Sequence, residues 1–182
     1  MLFYKSFFKS MERVDWLSSN EGTIVGRGFI IRNVKKEDLP KVIYINEVTL
    51  PENYPEYFYE YHLDNWGRAF FLAEVDGRAV GYIMNRIETV MGLSRSFFQK
   101  KGHVVSIAVL EGYRRRGIGE ALMRAGMKSM KDVYGAKSVY LEVRVSNDPA
   151  IKLYEKLGFK KVRVIEGYYS DGENAYVMER EL

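Results

Sequence analysis

Residues 112–122 read GYRRRGIGEAL, three consecutive arginines followed by two glycines one residue apart, Gly117 and Gly119. Adjacent like charges repel and glycine weakens a helix, so neither feature helps this segment fold by itself. A helix start, however, presents unpaired backbone N–H groups and the positive end of the macrodipole, and both attract phosphate oxygens. Glycine lets a ligand approach the main chain there. Repulsion among Arg114, Arg115 and Arg116 is relieved when an anion binds between them. The stretch therefore reads as a pyrophosphate cradle, although a solvated charge run beside an ordinary turn would have the same composition.

The ligand class narrows by comparison with known phosphate motifs. The Walker pattern G-x-x-x-x-G-K-[ST] does not occur, which disfavours an ordinary nucleotide hydrolase. GIGEAL matches part of a dinucleotide fingerprint, and Glu142 lies about where that motif places its ribose-binding acid. Against this, the six residues EGYRRR separate the preceding strand from Gly117, and the third glycine is missing.

The elements that must position the cradle follow from periodicity. RGFIIRN (27–33) alternates as a strand, and KKEDLPKVIYINEVTL has helical spacing after a charged first turn. LPENYPEYFYEYHLDNW is aromatic-rich and broken by Pro51 and Pro55, so a bent loop leads into a short second helix. Strands AFFLAEV and RAVGYIMNRIE are joined by Asp76 and Gly77, a dipeptide that favours a tight hairpin. Residues 90–101 read as a polar connection, and HVVSIAVL after them as a buried strand. A third helix is expected from about Gly117 to Tyr134, with Leu122, Ala125, Met130 and Val133 near one face. KSVYLEVRV is then a strand, NDPAIKLYEKLG a helix ending at Gly158, and FKKVRVIEGYY and NAYVMEREL two final strands. This order, β-α-α-β-β-β-α-β-α-β-β, predicts an α/β fold of the mixed α+β kind, one sheet covered by helices.

Bulk composition bounds the function. A chain of 182 residues with 47% hydrophobic and 29% charged residues fits one globular domain. No apolar run approaches the roughly 18 to 20 residues that a bilayer requires. The net charge of +4 permits an anionic partner without singling out nucleic acid. With no cysteine, disulfides, thiolate metal sites and a cysteine nucleophile are excluded together. Glutamine occurs only at Gln99, a composition that leans toward a hot environment. The opening MLFYKSFFKS is apolar enough to suggest a signal peptide, yet lysines interrupt it and no small-x-small cleavage site follows. Residues 1–26 read as an N-terminal tail, an accessory extension or an upstream start before Met11, with the poor order expected of a terminus. Residues 27–182 form the domain.

SIAVLEGYRRRGIGEALM followed by YLEVRVSNDPAIKLYEKLGF resembles the GNAT superfamily of acyl-CoA-dependent acetyltransferases. The signature Arg-x-x-Gly-x-Gly or Ala falls on Arg114, Gly117 and Gly119, joined at the family's spacing to Asn147 and Tyr154. LPENY, GHVVSIAV, VRVSN and YYSDGENAYVMEREL are similar to the catalytic subunit of NatA-type protein N-terminal acetyltransferases and their archaeal RimI-like relatives. The resemblance covers about residues 28–182.

It implies a central mixed sheet of seven strands flanked by four helices, with the fourth and fifth strands parallel and splayed around acetyl-CoA. Ile107, Ala108 and Val109 would meet the pantetheine arm, and a backbone N–H near Val109 would stabilise the oxyanion. Arg114, Arg115, Arg116, Gly117, Ile118, Gly119 and Glu120 would hold the pyrophosphate. Asn147 would lie against the cofactor, or simply cap a helix. His103 and Glu142 would remove the amine proton, through ordered water, and Tyr154 would protonate the departing thiolate or orient the sulfur. Glu52, Tyr54, Ile107, Tyr168 and Tyr169 would receive the peptide, while His62 reads as structural. No metal is required, and His103 with Glu142 would at most capture stray zinc. The implied activity is cytoplasmic protein N-α-acetylation, with protein N-termini as substrates and a ribosome or auxiliary subunit as a further partner. Membrane and specific nucleic-acid partners are not expected. An enzyme of the same fold acting on lysine or small amines is the near alternative, and a non-catalytic acyl-CoA or nucleic-acid binding module the alternative of another class.

Overall fold

A computed structural model describes residues 24–26, 28–91 and 98–182. Alternating apolar residues in its first half build an antiparallel meander of five strands. These are β1 (Ile24–Gly26), β2 (Phe29–Asn33), β3 (Phe71–Val75), β4 (Arg78–Met91) and β5 (Phe98–Val109). Asp76 and Gly77 both adopt positive φ, 49° and 74°, the two-residue turn whose twist suits a hairpin. Helices α1 (Leu39–Thr49) and α2 (Glu56–Trp66) interrupt the meander between β2 and β3. Pro55 stands at the N-cap of α2, with its backbone extended.

The second half is α3 (Ile118–Asp132), β6 (Ser138–Arg144), α4 (Asp148–Lys156), β7 (Lys160–Ile165) and β8 (Ala175–Glu181). One sheet has the order β1-β2-β3-β4-β5-β6-β8-β7, and its β5–β6 pair is parallel. The seven expected strands and four helices are all present in the expected order. The three-residue β1 is an addition at the sheet edge, paired with Phe29 to Ile31. The remainder of the expected tail lies outside the described residues.

Helices cover both faces. On one face Leu122, Met123 and Met130 of α3 and Ile151 of α4 pack against Ile31, Ile83, Val139 and Leu141. On the other, Val42 and Ile45 of α1 and Tyr59 of α2 pack against Leu72, Tyr82 and Met84. Each such side chain contributes about 1.5–3 kcal/mol by burial. Val133, expected on the buried face of α3, is 39% exposed because the helix ends one residue earlier.

The polar connection expected over 90–101 is corrected. Strands continue through Val90–Met91 and Phe98–Lys101, as a two-stranded ribbon in which Glu88 faces Lys101, Thr89 faces Lys100 and Val90 faces Gln99. Cross-strand pairing of this kind stabilises a ribbon that has no core to bury, so its polar sequence does not announce a strand. Residues 92–97 lie outside the described residues.

Candidate active site

Two departures from regular pairing open the sheet. Parallel pairing of β5 with β6 stops at His103 and Tyr140, after which β5 runs on to Val109 and β6 to Arg144 without partners across the gap. The β4–β5 register also shifts between Met84 and Asn85, leaving Val105 as the extra residue of a bulge. Bulges bend the strand that carries them, which fits one swinging away from its neighbour. Leu110 donates to the Val80 carbonyl, so the amides of Val109 and Ile107, pointing the other way along the strand, face the gap. Ala108 instead turns its side chain into the core beneath α1.

At the top of the gap lies the arginine-glycine turn. Arg115 and Gly117 adopt left-handed φ of 64° and 85°, and Gly117 is the N-cap of α3. The first helical bond runs from the Ala121 N–H to the Gly117 carbonyl, so the amides from Gly117 to Glu120 have no backbone acceptor among the described residues. Arg114, Arg115 and Arg116 are exposed beside them. Arg114 Nε donates to the Val109 carbonyl at 3.0 Å, tying the turn to the end of β5. Free amides at the positive end of a 15-residue helix, ringed by guanidinium groups, fit a diphosphate.

The carboxylate of Glu120 points elsewhere. It accepts from Lys156 Nζ at 2.6 Å and from Arg124 at 2.8 Å, locking the first turn of α3 to α4. Asn147 caps α4, with its Oδ1 accepting from the Ala150 amide at 3.3 Å. Tyr154 is 6% exposed and packs on Phe159 with ring centroids 5.9 Å apart, and its hydroxyl makes no hydrogen bond among the described residues. Burial pushes its phenol up to about 12, which keeps it protonated at neutral pH.

The base of the fork holds the acid–base groups. His103 Nε2 and Glu142 Oε2 are 2.8 Å apart, bridging β5 and β6 where the strands part. Three further residues surround the imidazole that sequence reasoning did not select. Tyr140 stacks on it at 4.2 Å and 13°, Glu88 Oε1 lies 3.3 Å from Nδ1, and Arg86 pairs with Glu88 at 2.7 Å. Alternation along β4 places Arg86 and Glu88 on one face, but nothing local shows that the face is shared with His103. His62 is buried on α2, with Nδ1 2.7 Å from the Phe58 carbonyl oxygen, and burial lowers its pKa. Among the described residues no group of three His, Cys, Asp or Glu could hold a metal ion.

Further along the same face of β6, Arg144 gathers two loops. Its guanidinium pairs with Glu52 from the α1–α2 connection and, at 2.7 and 2.8 Å, with Asp171 and Glu173 from the β7–β8 connection. It also sits 4.0 Å over the ring of Tyr169, which in turn meets Tyr168 edge-on at 5.0 Å. Glu52 is therefore charge-paired, and Arg144 is a residue the sequence reading missed. Tyr54 stacks on Phe58 at 4.5 Å. Its phenol is raised by burial and then by Glu52 and Glu142, and Tyr168 is raised by burial and then by Glu142 and Tyr54. The charge of Glu142 is thus felt at both Tyr54 and Tyr168.

The chain matches the acetyltransferase (GNAT) family over residues 37–159. It is 58% identical over 159 residues to an N-alpha-acetyltransferase of Saccharolobus solfataricus, covering 86% of this chain and 95% of that protein. It is 39% identical over 154 residues to the N-terminal acetyltransferase A complex catalytic subunit NAA10 of Arabidopsis thaliana, covering 84% and 77%. Arabidopsis thaliana Naa50, solved in complex with the bisubstrate analogue CoA-Ac-MVNAL, aligns with a TM-score of 0.74 at 25% identity, over 86% of this chain and 100% of that one.

Proposed function

The chain belongs to the GNAT family of acetyltransferases, and from that premise we propose that it transfers the acetyl group of acetyl-CoA to the free α-amine of protein N-termini. One observation carries the assignment of roles: a hydrogen-bonded histidine and carboxylate, His103 and Glu142, stand at the root of a strand fork whose far end is a cradle of free amides. When bound, acetyl-CoA supplies an activated acyl carbonyl and a thiolate leaving group. The amides from Gly117 to Glu120, with Arg114 to Arg116, would grip its diphosphate. The inward amides of Ile107 and Val109 would orient the pantetheine arm and donate to the carbonyl oxygen as negative charge develops.

A peptide α-amine has a reference pKa of about 7.7 to 8.0, so near pH 7 most of it must lose a proton before attack. Glu142 and His103 together would take that proton, directly or through water. The N–C bond then forms as the C–S bond breaks; the acylated nitrogen would release its second proton to water, and the phenol of Tyr154, still protonated in its buried place, would give its proton to the leaving sulfur and recover one from solvent. A lysine amine, with a reference pKa of about 10.4, would demand stronger deprotonation. The cytoplasm, where new amino termini emerge, is the compartment this reading requires. No helix among the described residues is long and apolar enough to cross a membrane.

The test is acetyl-CoA with two peptides of one sequence, one with a free and one with a blocked N-terminus, each containing an internal lysine. Mass spectrometry should find one acetyl group on the α-amine of the first and none on the second. Equal acetylation of the blocked peptide would overturn the assignment.

The Arg144 cluster makes a separate prediction about peptide binding. Arg144→Met keeps the aliphatic volume but releases Glu52 from Asp171 and Glu173, so the two loops lose their common anchor. Removing one member of a partly buried charge cluster leaves the others unpaired, and a roughly tenfold rise in peptide KM is expected. The KM for acetyl-CoA and kcat should stay within about twofold, since Arg144 touches neither the cradle nor His103. Steady-state rates with each substrate varied in turn read both constants.

A further inference from the structure

We propose that Glu88 is a positioning residue for the reaction, acting through His103, which it braces together with Tyr140 and Arg86. The proposal rests on the reading of His103 and Glu142 as the proton-accepting pair and extends it to groups that do not reach the substrate.

Geometry sets the argument. Glu88 Oε2 accepts from the Tyr140 hydroxyl at 2.8 Å, and its Oε1 accepts from Arg86 Nε at 2.7 Å. The carboxylate is thus fixed by two donors from two strands, and Oε1 is set 3.3 Å from His103 Nδ1. Tyr140 contributes twice, since the ring whose hydroxyl holds Glu88 also lies flat against the imidazole at 4.2 Å. Burial alone would raise the carboxyl of Glu88, but the Tyr140 hydrogen bond and the charges of Arg86 and His103 outweigh it and hold it below its ordinary value. Glu88 is therefore ionised through the working range.

The unfinished contact is the informative one. His103 Nδ1 is buried and has no hydrogen-bond partner, although a carboxylate oxygen stands 3.3 Å away. A neutral ring carries one hydrogen, so in either tautomer one of its nitrogens presents a lone pair to a carboxylate, Glu88 at Nδ1 or Glu142 at Nε2, an uncompensated contact. Once the ring takes up the substrate proton, each nitrogen carries a hydrogen with a carboxylate in front of it. The array of Arg86, Glu88, His103 and Glu142 has one cation against two anions before that step and is balanced after it. Among the described residues, the other charged or titratable groups around the ring are Tyr140, Lys101, which lies 5.0 Å over the Tyr140 ring, and His62 of α2, which senses the charge of His103. None of them supplies a second anion at Nδ1.

The experiment is a cycle of Glu88→Gln, His103→Gln and the double variant, with kcat and KM measured for each on a free-amine peptide. Glu88→Gln should lower kcat about tenfold, the scale of one hydrogen bond to a charged group, and leave the KM for peptide and for acetyl-CoA within about twofold. Combined with His103→Gln it should cost less than about twofold more. Tyr140→Phe, which keeps the stacked ring but removes the hydroxyl, should lower kcat in the same way by less. An equal loss from Glu88→Gln in both backgrounds, or a loss carried by KM, would overturn the bracing role and leave the catalytic pair intact. A His103→Gln variant with wild-type rates would overturn both.

Discussion

Glu142→Gln is expected to lower kcat by about 100-fold or more, the scale on which a positioned acid–base group acts, while the KM for acetyl-CoA stays within twofold. The substitution preserves size and keeps an oxygen that can accept from His103 Nε2, now 2.8 Å away, so the fork between β5 and β6 should hold its shape. What it removes is the capacity to take a proton. The cradle from Gly117 to Glu120 stands on another element and is untouched. On the proposed reading, in which His103 and Glu142 work as a pair, the double variant His103→Gln/Glu142→Gln should be little slower than the worse single one. Pre-steady-state and steady-state rates on one free-amine peptide decide the matter. A kcat within threefold of wild type would remove Glu142 from the chemistry.

The parts of this site that were legible in the sequence are the ones whose physics is local. Three arginines and two glycines at a helix start mark a candidate anion cradle within eleven residues, and the structure gives that turn its left-handed Arg115 and Gly117. The hairpin at Asp76 and Gly77 is local in the same sense. His103 and Glu142 are 39 residues apart and became candidates through family resemblance, because no periodicity tells which parallel register brings two strands together. Arg86 and Glu88 were missed for a sharper reason. The bulge at Val105 shifts the β4–β5 register, so alternation counted along either strand does not reveal that they share a face with His103. Arg144 and Glu52, 92 residues apart, meet only because two loops close over the same end of β6. The ribbon read as a polar connection fails by the same logic, since pairing alone, without burial, makes it a strand.

Asp38→Ala should give the largest loss of stability, about 3–5 kcal/mol, the range for removing one partner of a buried ion pair. Asp38 is 1% exposed, in the short 3₁₀ turn Lys36–Asp38 that leads into α1. Its carboxylate accepts from Arg32 at 2.6 and 3.0 Å, from the Lys35 amide at 3.1 Å and from Lys41 Nζ at 3.1 Å. Alanine leaves that amide unpaired and Arg32 with Glu74 as its one remaining carboxylate partner among the described residues, beside the Asn33 carbonyl. In a chain of this length each kcal/mol lowers Tm by about 2–4 °C, so a fall of roughly 10 °C is expected by calorimetry. The pH dependence has a definite sign. Hydrogen bonds from Arg32 outweigh burial and hold the Asp38 carboxyl well below the ordinary carboxylate range. A depressed folded-state value stabilises the fold at every pH above the unfolded carboxyl's value of about 3.9, and the contribution fades as pH falls below it. The gap between wild type and Asp38→Ala should therefore be constant from about pH 5 to 8 and narrow below about pH 4, and a gap that widened in acid would contradict the assignment. The kcat at 25 °C should be unchanged, because Asp38 anchors the entry to α1 and touches none of the groups at the fork. A variant that melts early yet turns over normally would separate the residues that hold this fold together from those that use it.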